Sequence, residues 1–146
     1  MIETILHAGN ILAILVKKEF SAAGIQFFTP DSFSQQLGYM KRHEGYVIPP
    51  HDHNPVPRTV EWTQEVLFIK SGKVRLDLYT PENREYLQSR MLTAGDVVLL
   101  AHGGHGLVVL EESEIIEVKQ GPYAGEADKT RFPPVEDARV RYGEKG

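Results

Sequence analysis

The stretch GYVIPPHDHNPVPRTVEWTQEVLFIKSG, residues 45–72, brings two histidines towards a glutamate that opens an apolar run. His51 and His53 are two positions apart, and in an extended chain residues at this spacing point to the same side. Both imidazoles can therefore face one centre, as metal ligands on a strand do. The run that begins at Glu65 ends at Ser71-Gly72, a turn signal. This pattern predicts a β-hairpin with Glu65 on its first arm.

A second histidine cluster lies further along the chain, in GDVVLLAHGGH, residues 95–105. An apolar run is followed there by the glycine turn Gly103-Gly104, with His102 before it and His105 after it. This cluster can supply at least one more imidazole. We favour His105, because two glycines with access to positive φ permit a tight turn that would aim it inward.

Length and composition limit the classes of protein to consider. The chain has 146 residues, which suits one domain with a real core, and 41% of them are apolar and 25% charged, as in globular proteins. A net charge of -4 without a basic stripe argues against nucleic-acid binding. The N-terminus lacks a basic region before a long uncharged apolar core, so we expect neither a signal peptide nor a membrane span, and a cytoplasmic location.

Turn signals separate short apolar or alternating segments throughout the chain, about every 8 to 12 residues. Residues 2–6 and 11–16 are apolar runs on either side of Ala8-Gly9-Asn10, which predicts a hairpin, although the composition of residues 11–16 also permits a helix. No long helical pattern appears after residue 40. The expected class is all-β, either a barrel or a jelly roll with little helix, formed by residues 1–120 as one domain. Residues 121–146 have no sustained hydrophobic period and contain two adjacent prolines, which predicts a C-terminal arm on the surface. A sharper alternative has Tyr123, Phe132 or Tyr142 packed against a neighbouring subunit.

Taken together, the two clusters resemble the motifs of a known family, the cupins. The residues that carry the first motif are Gly45, His51, His53, Glu65 and Gly72, and residues 95–105 are similar to the second. The resemblance covers about residues 45–110. It implies a small cupin-type double-stranded β-helix, a jelly-roll barrel, whose members often dimerise. It also implies that His51, His53, Glu65 and His105 jointly coordinate a divalent metal inside the barrel.

The chain departs from the cupin pattern in both motifs. Eleven residues separate His53 from Glu65, more than in the usual motif, and Glu61 is therefore a rival ligand. Glu65 is preferred because it keeps the distance to Gly72 and heads an apolar strand. In the second motif Ala101 replaces the usual proline and the turn is shorter, which leaves His102 as a rival to His105.

The chemistry of these side chains is consistent with the metal hypothesis. The chain has no cysteine, so disulfides and thiolate ligands are excluded, and any metal must be held by nitrogen and oxygen. Three imidazoles and one carboxylate suit Mn, Fe, Ni, Cu or Zn. Four protein ligands leave an octahedral ion open positions for water or substrate, although Zn could close the set as a tetrahedral structural site.

The first functional hypothesis is a metal-dependent enzyme acting on a small polar metabolite, such as an isomerase or epimerase of a sugar or sugar nucleotide. The whole chain is similar to single-domain cupins associated with bacterial surface-polysaccharide pathways. An Fe(II) dioxygenase, a non-catalytic sugar- or metabolite-binding cupin, and a metal-free epimerase with a histidine base are the alternatives. Tyr39, Tyr46, Arg58 and His102 are candidates for an acid, a base or an anion clamp.

Two strands suggest how the surfaces are used. Residues 97–100 are apolar on both sides, which would follow if this strand lay in a dimer interface or between two sheets, so we predict a homodimer. Arg75 and Asp77 alternate with apolar residues and predict an ordinary polar outer face. The expected partners are a small-molecule ligand and a second copy of the chain, without nucleic acid or membrane.

Overall fold

The computed structural model describes residues 1–143, so the last three positions of the predicted arm, 144–146, lie outside the described residues. Eight strands make up the fold: β1 (Ile2–His7), β2 (Asn10–Val16), β3 (Gly24–Phe27), β4 (Gly38–Lys41), β5 (Glu65–Tyr79), β6 (Tyr86–Thr93), β7 (Val97–Leu100) and β8 (Gly104–Lys119). Helical structure in the described chain is limited to two short 3₁₀ helices, Gly125–Asp128 and Asp137–Arg139. The predicted all-β class is confirmed. Neither of these helices of residues 1–143 could cross a lipid bilayer.

Six strands form one curled antiparallel sheet in the shape of a half-barrel. Its order is β1-β2-β7-β5-β6, and β8 pairs with β5 along nearly the full length of both strands. Strands β7 and β6 share the other edge of β5, β7 at its beginning and β6 at its end. The short strands β3 and β4 form a separate two-stranded ribbon.

The long β5–β8 pair is folded over on itself, and the connection between β7 and β8 explains why. Leu100, the last residue of β7, pairs with Glu65 at the start of β5, whereas Gly104, the first residue of β8, pairs with Tyr79 at the end of β5. In a straight strand these two ends would be more than about 40 Å apart. Only residues 101–103 span them here, so the two ends of β5 must lie close together.

The predicted turn between the first two strands is present. Ala8 and Gly9 have φ of 48° and 79° and close the β1–β2 hairpin, as two-residue hairpins require. The predicted strand at residues 97–100 is β7, which lies between β2 and β5. Its Val98 and Leu99 are fully buried within the chain, so a dimer interface is not needed to explain their apolar character.

Two apolar clusters cover the faces of this sheet. The larger one fills the inside of the curl, and its fully buried members include Leu15, Ile69, Leu76, Leu92 and Val98. The smaller one lies on the other face, where the segment before β4 covers Ile14 and Leu99 with Phe28, Phe33 and Leu37. Burial of a side chain of this size contributes about 1.5 to 3 kcal/mol, so these clusters fix the curvature that positions the site.

The predicted hairpin at Ser71-Gly72 is wrong, because β5 continues through these residues. The register between β5 and β8 shifts three times between Ile69 and Val74, so the Ser-Gly pair forms a bulge. Gly72 has φ of 86°, and a Cβ there would meet the carbonyl oxygen of Glu112 at 2.2 Å. Glycine is required for this close approach, which lets the ladder bend rather than end.

The predicted polar outer face at Arg75 and Asp77 is also wrong. These side chains are buried, and the guanidinium binds the carboxylate through two bonds, from Nε to Oδ1 at 2.8 Å and from an Nη to Oδ2 at 3.0 Å. Ser89 donates a third hydrogen bond to Asp77. The C-terminal arm lies over this face, where the amide of Val135 donates to the hydroxyl oxygen of Tyr79 at 2.9 Å.

Candidate functional site

The folded-over ladder brings two of the predicted metal ligands into direct contact. Nε2 of His105 lies 2.5 Å from Oε1 of Glu65. Glu65 begins β5, and His105, the second residue of β8, pairs with Leu78 near the opposite end of β5. The contact therefore depends on the curl of the sheet and not on sequence proximity.

The Glu65–His105 pair lies in an open cleft of about 730 Å³ between the β5–β8 pair and the C-terminal arm. Its floor carries two more charged side chains of β8, Glu117 and Lys119. Residues 128–132 of the arm form the facing wall. The side chain of Glu65 is 13% exposed and that of His105 is 36% exposed, so the imidazole is the part of the pair that a ligand in the cleft can reach.

The two glutamates of the cleft have pKa values displaced in opposite directions. A hydrogen bond from His105 lowers the pKa of Glu65 to about 2, against the opposing effect of burial. The pKa of Glu117 is raised, first by its hydrogen bond to Glu65, then by burial and by the negative charge of Glu65. One carboxyl group thus stays ionised while its neighbour retains a proton to higher pH, as in paired acid and base groups of active sites.

The ionised state of Glu65 also assigns the proton on His105. A carboxylate only accepts hydrogen bonds, so the nitrogen that contacts it, Nε2, carries the hydrogen. In the neutral ring Nδ1 is then left with its lone pair. The arrangement is that of a histidine base oriented by a buried carboxylate.

The other two predicted ligands, His51 and His53, form a second pair elsewhere. Their ring centroids are 5.3 Å apart, and both residues are exposed on the extended chain before β5. Nδ1 of His51 lies 2.9 Å from the carbonyl oxygen of Pro49, which fixes a hydrogen on Nδ1 and leaves Nε2 free. Among residues 1–143 no three histidine, aspartate or glutamate side chains are grouped so that they could hold a metal ion.

The remaining candidates lie outside the cleft. Tyr46 is exposed, with the guanidinium of Arg42 4.4 Å from its ring centroid and the imidazole of His43 against its edge. Tyr39 contacts the edge of Phe20, as a packing residue does. Arg58 is exposed on the loop before β5.

The rival ligands Glu61 and His102 line a second cleft of about 600 Å³, together with Trp62. The ring centroids of Trp62 and His102 are 4.4 Å apart. The structure pairs His105 with Glu65 and leaves Glu61 exposed, with no part in that contact. His102 thus makes an aromatic contact in this second cleft and does not line the cleft that holds Glu65 and His105.

Sequence reasoning missed Glu117 and Lys119. They lie on β8 within an alternating segment that reads as a solvent-facing strand. Leu67 pairs with Glu117, and Glu65 pairs with Lys119, which places both side chains on the face that carries Glu65. The available signal was a pair of charged residues two positions apart on a strand, but only the register with β5 shows which face they share.

Comparison with known proteins identifies no family or relative of this chain. No protein-family model matches the chain, no curated protein matches it in sequence, and no solved structure matches its fold.

Proposed function

We propose that the cleft binds a small polar metabolite and transfers a proton at a carbon next to a carbonyl group, the chemistry of a sugar or sugar-nucleotide isomerase or epimerase. The observation that carries this proposal is the 2.5 Å contact between His105 and Glu65 at an open cleft. A histidine held in one tautomer by a buried carboxylate is a recurrent form of general base.

In this mechanism Nδ1 of His105 removes the proton from the substrate carbon. Glu65 holds the ring and stabilises the imidazolium that forms, as its low pKa keeps it ionised throughout. The charge left on the substrate moves to the carbonyl oxygen, where the ammonium of Lys119, on the same floor, would stabilise it. Return of the proton from His105 to the neighbouring carbon gives isomerisation. In epimerisation His105 keeps the proton that it removed, and a second acid protonates the opposite face of the same carbon.

Glu117 is the candidate for the second proton carrier. Its raised pKa keeps it protonated to higher pH than an ordinary glutamate, and it lines the same cleft as His105. A protonated carboxyl group can donate to the substrate oxygen and then recover its proton from water.

Deuterium incorporation from solvent tests this proposal. Sugar phosphates and nucleotide sugars are incubated in D₂O with the protein, and mass spectrometry follows label at carbon. Incorporation into at least one compound by the natural protein, reduced at least about 100-fold in His105→Gln, is expected. His43→Gln, which changes an exposed imidazole, is the matched control. Thermal stabilisation by a compound that never exchanges deuterium would favour a non-catalytic binding protein instead.

Binding of a divalent transition metal is the second candidate function, because the cupin-like motifs imply it. Imidazole and carboxylate are suitable ligands for such a metal, but within one chain the four side chains are not arranged around a common centre. Glu65 and His105 are in direct contact, whereas two metal bonds of about 2.0 to 2.2 Å would require their atoms to lie further apart. His51 and His53 lie in a separate pair. No step of the mechanism above depends on a metal.

Assignment to the cupins is likewise part of this proposal. The curled half-barrel is compatible with a jelly roll, and two observations support the assignment: Glu65 contacts His105 across the curl, and Gly72 lies at the bulge of β5. The resemblance to single-domain cupins of bacterial surface-polysaccharide pathways points to a carbohydrate substrate, and a cleft of about 730 Å³ with charged side chains on its floor has room for one.

A further inference from the structure

Residues 42–63 form an extended segment whose side-chain contacts with the rest of the described chain come at its end, where Trp62 packs against His102 and Thr63 donates to Asp128. Every residue in it is exposed, including Val47 at 74% and Ile48 at 52%. Between residues 47 and 63 no backbone amide or carbonyl group bonds to another backbone group of residues 1–143. Ordered segments of this length without their own structure are uncommon in compact domains, and the backbone groups of this one are free to pair with another strand.

The same chain presents an open strand edge that needs a partner. Within residues 1–143, β8 pairs only with β5, so one edge of this 16-residue strand is free. Val109 and Val118 are each 58% exposed, and Leu110 is 45% exposed. Long apolar edges of this kind pair with another chain unless they are covered.

We propose that the extended segment is exchanged between two copies of the chain, so that residues 46–48 of each copy pair with the free edge of β8 in the other. Each copy has an unpaired apolar segment and an unpaired apolar strand edge. In a symmetric dimer the segment of each copy can therefore pair with the edge of the other. Charge also favours it, since Lys41 and Arg42 precede the pairing residues 46–48 and residues 111–114 of β8 include three glutamates.

The exchange would complete the predicted metal site. If residues 47 and 48 lie antiparallel to residues 108 and 109, His51 reaches the level of His105 three positions later. His51 and His53 of one copy then meet Glu65 and His105 of the other, and an ion bound there would hold the two contacting atoms of Glu65 and His105 further apart than their present 2.5 Å. This second step rests on the metal-binding candidate above, whereas the exchange itself rests only on the exposed segment and the open edge.

Engineered cysteines test the exchange, because the chain has none of its own. Val47→Cys and Val109→Cys are combined and oxidised at low protein concentration. A disulfide needs Cα atoms within about 7 Å, so exchange predicts a covalent dimer on a non-reducing gel. The control combines Val47→Cys with Leu6→Cys. Leu6 lies on β1 and is 57% exposed, against 58% for Val109, and this variant should stay monomeric.

The other outcomes of this experiment overturn the proposal. A monomer that loses both thiols would show that the segment folds onto its own β8. A monomer that keeps both thiols would show that residue 47 and residue 109 never meet. A supporting measurement is the molar mass in solution, where the natural protein should be a dimer and Val109→Asp a monomer with an unchanged circular dichroism spectrum.

Zinc binding to a mixed dimer tests the delivery of ligands. One chain carries His51→Ala and His53→Ala, the other Glu65→Gln and His105→Gln, and two affinity tags isolate the heterodimer. Exchange leaves one complete set of four donors, so one Zn²⁺ per heterodimer is expected, against two in the natural dimer. No zinc in the heterodimer, with two in the natural dimer, contradicts delivery across copies. A natural dimer that binds no zinc refutes the metal site and leaves the exchange standing.

Discussion

Replacement of Glu65 by glutamine should remove a stabilising contribution that depends on pH. The pKa of Glu65 falls from 4.5 to about 2 in the folded chain, mainly through His105. Each pKa unit corresponds to about 1.4 kcal/mol, so the full effect is roughly 3 kcal/mol. The raised pKa of Glu117 destabilises the folded chain near neutral pH and offsets part of this stabilisation. We therefore expect Glu65→Gln to lose about 2 kcal/mol at pH 7.

The pH dependence follows from the direction of this pKa change. A carboxyl group with a lowered pKa stabilises the fold above its ordinary pKa of 4.5, and the contribution is lost as the pH falls towards 2. Urea unfolding at pH 7, 5, 4 and 3 should show the difference between the natural protein and Glu65→Gln shrinking to roughly half by about pH 3. Glu112→Gln, on an exposed stretch of β8, should show no difference. A difference for Glu65→Gln that is constant from pH 7 to pH 3 would refute the reasoning.

Three further substitutions test the fold around the site. Gly72→Ala should cost more than about 3 kcal/mol in urea unfolding, because its Cβ would meet backbone at 2.2 Å and φ is positive; a loss below 1 kcal/mol would contradict the bulge. Arg75→Met should cost about 3 to 5 kcal/mol by leaving Asp77 buried without its partner, and stability equal to the natural protein would contradict the burial. Tyr79→Phe should cost about 1 kcal/mol and speed proteolysis of the arm after Val135 loses its acceptor; unchanged cleavage would show that the arm is held elsewhere.

The local parts of the fold could be predicted from the sequence. The Ala8-Gly9 turn and the apolar strand at residues 97–100 are read from neighbouring residues, and both occur where expected. Ser71-Gly72 was misread because a glycine with positive φ serves a bulge and a turn equally well. Only the pairing of β5 with β8 across the sheet distinguishes them.

The candidate site could be predicted in part. Glu65 is predicted by its distance to Gly72 and by the apolar strand that it begins, and His105 by the glycine turn before it; the structure places these two side chains in contact. Glu117 could not be found, because its face depends on register, and Arg75 and Asp77 looked solvent-facing because nothing in their alternation shows that the arm lies over them. Long-range pairing carries this information, and single-sequence patterns do not contain it.

The most direct test of the account is an NMR titration of the Glu65 side-chain carboxyl carbon in the natural protein and in His105→Gln. With a pKa of about 2, Glu65 should not titrate above about pH 3 in the natural protein, and its midpoint should move upwards in His105→Gln. A midpoint near 4.5 in the natural protein, or one that His105→Gln leaves unchanged, would contradict it.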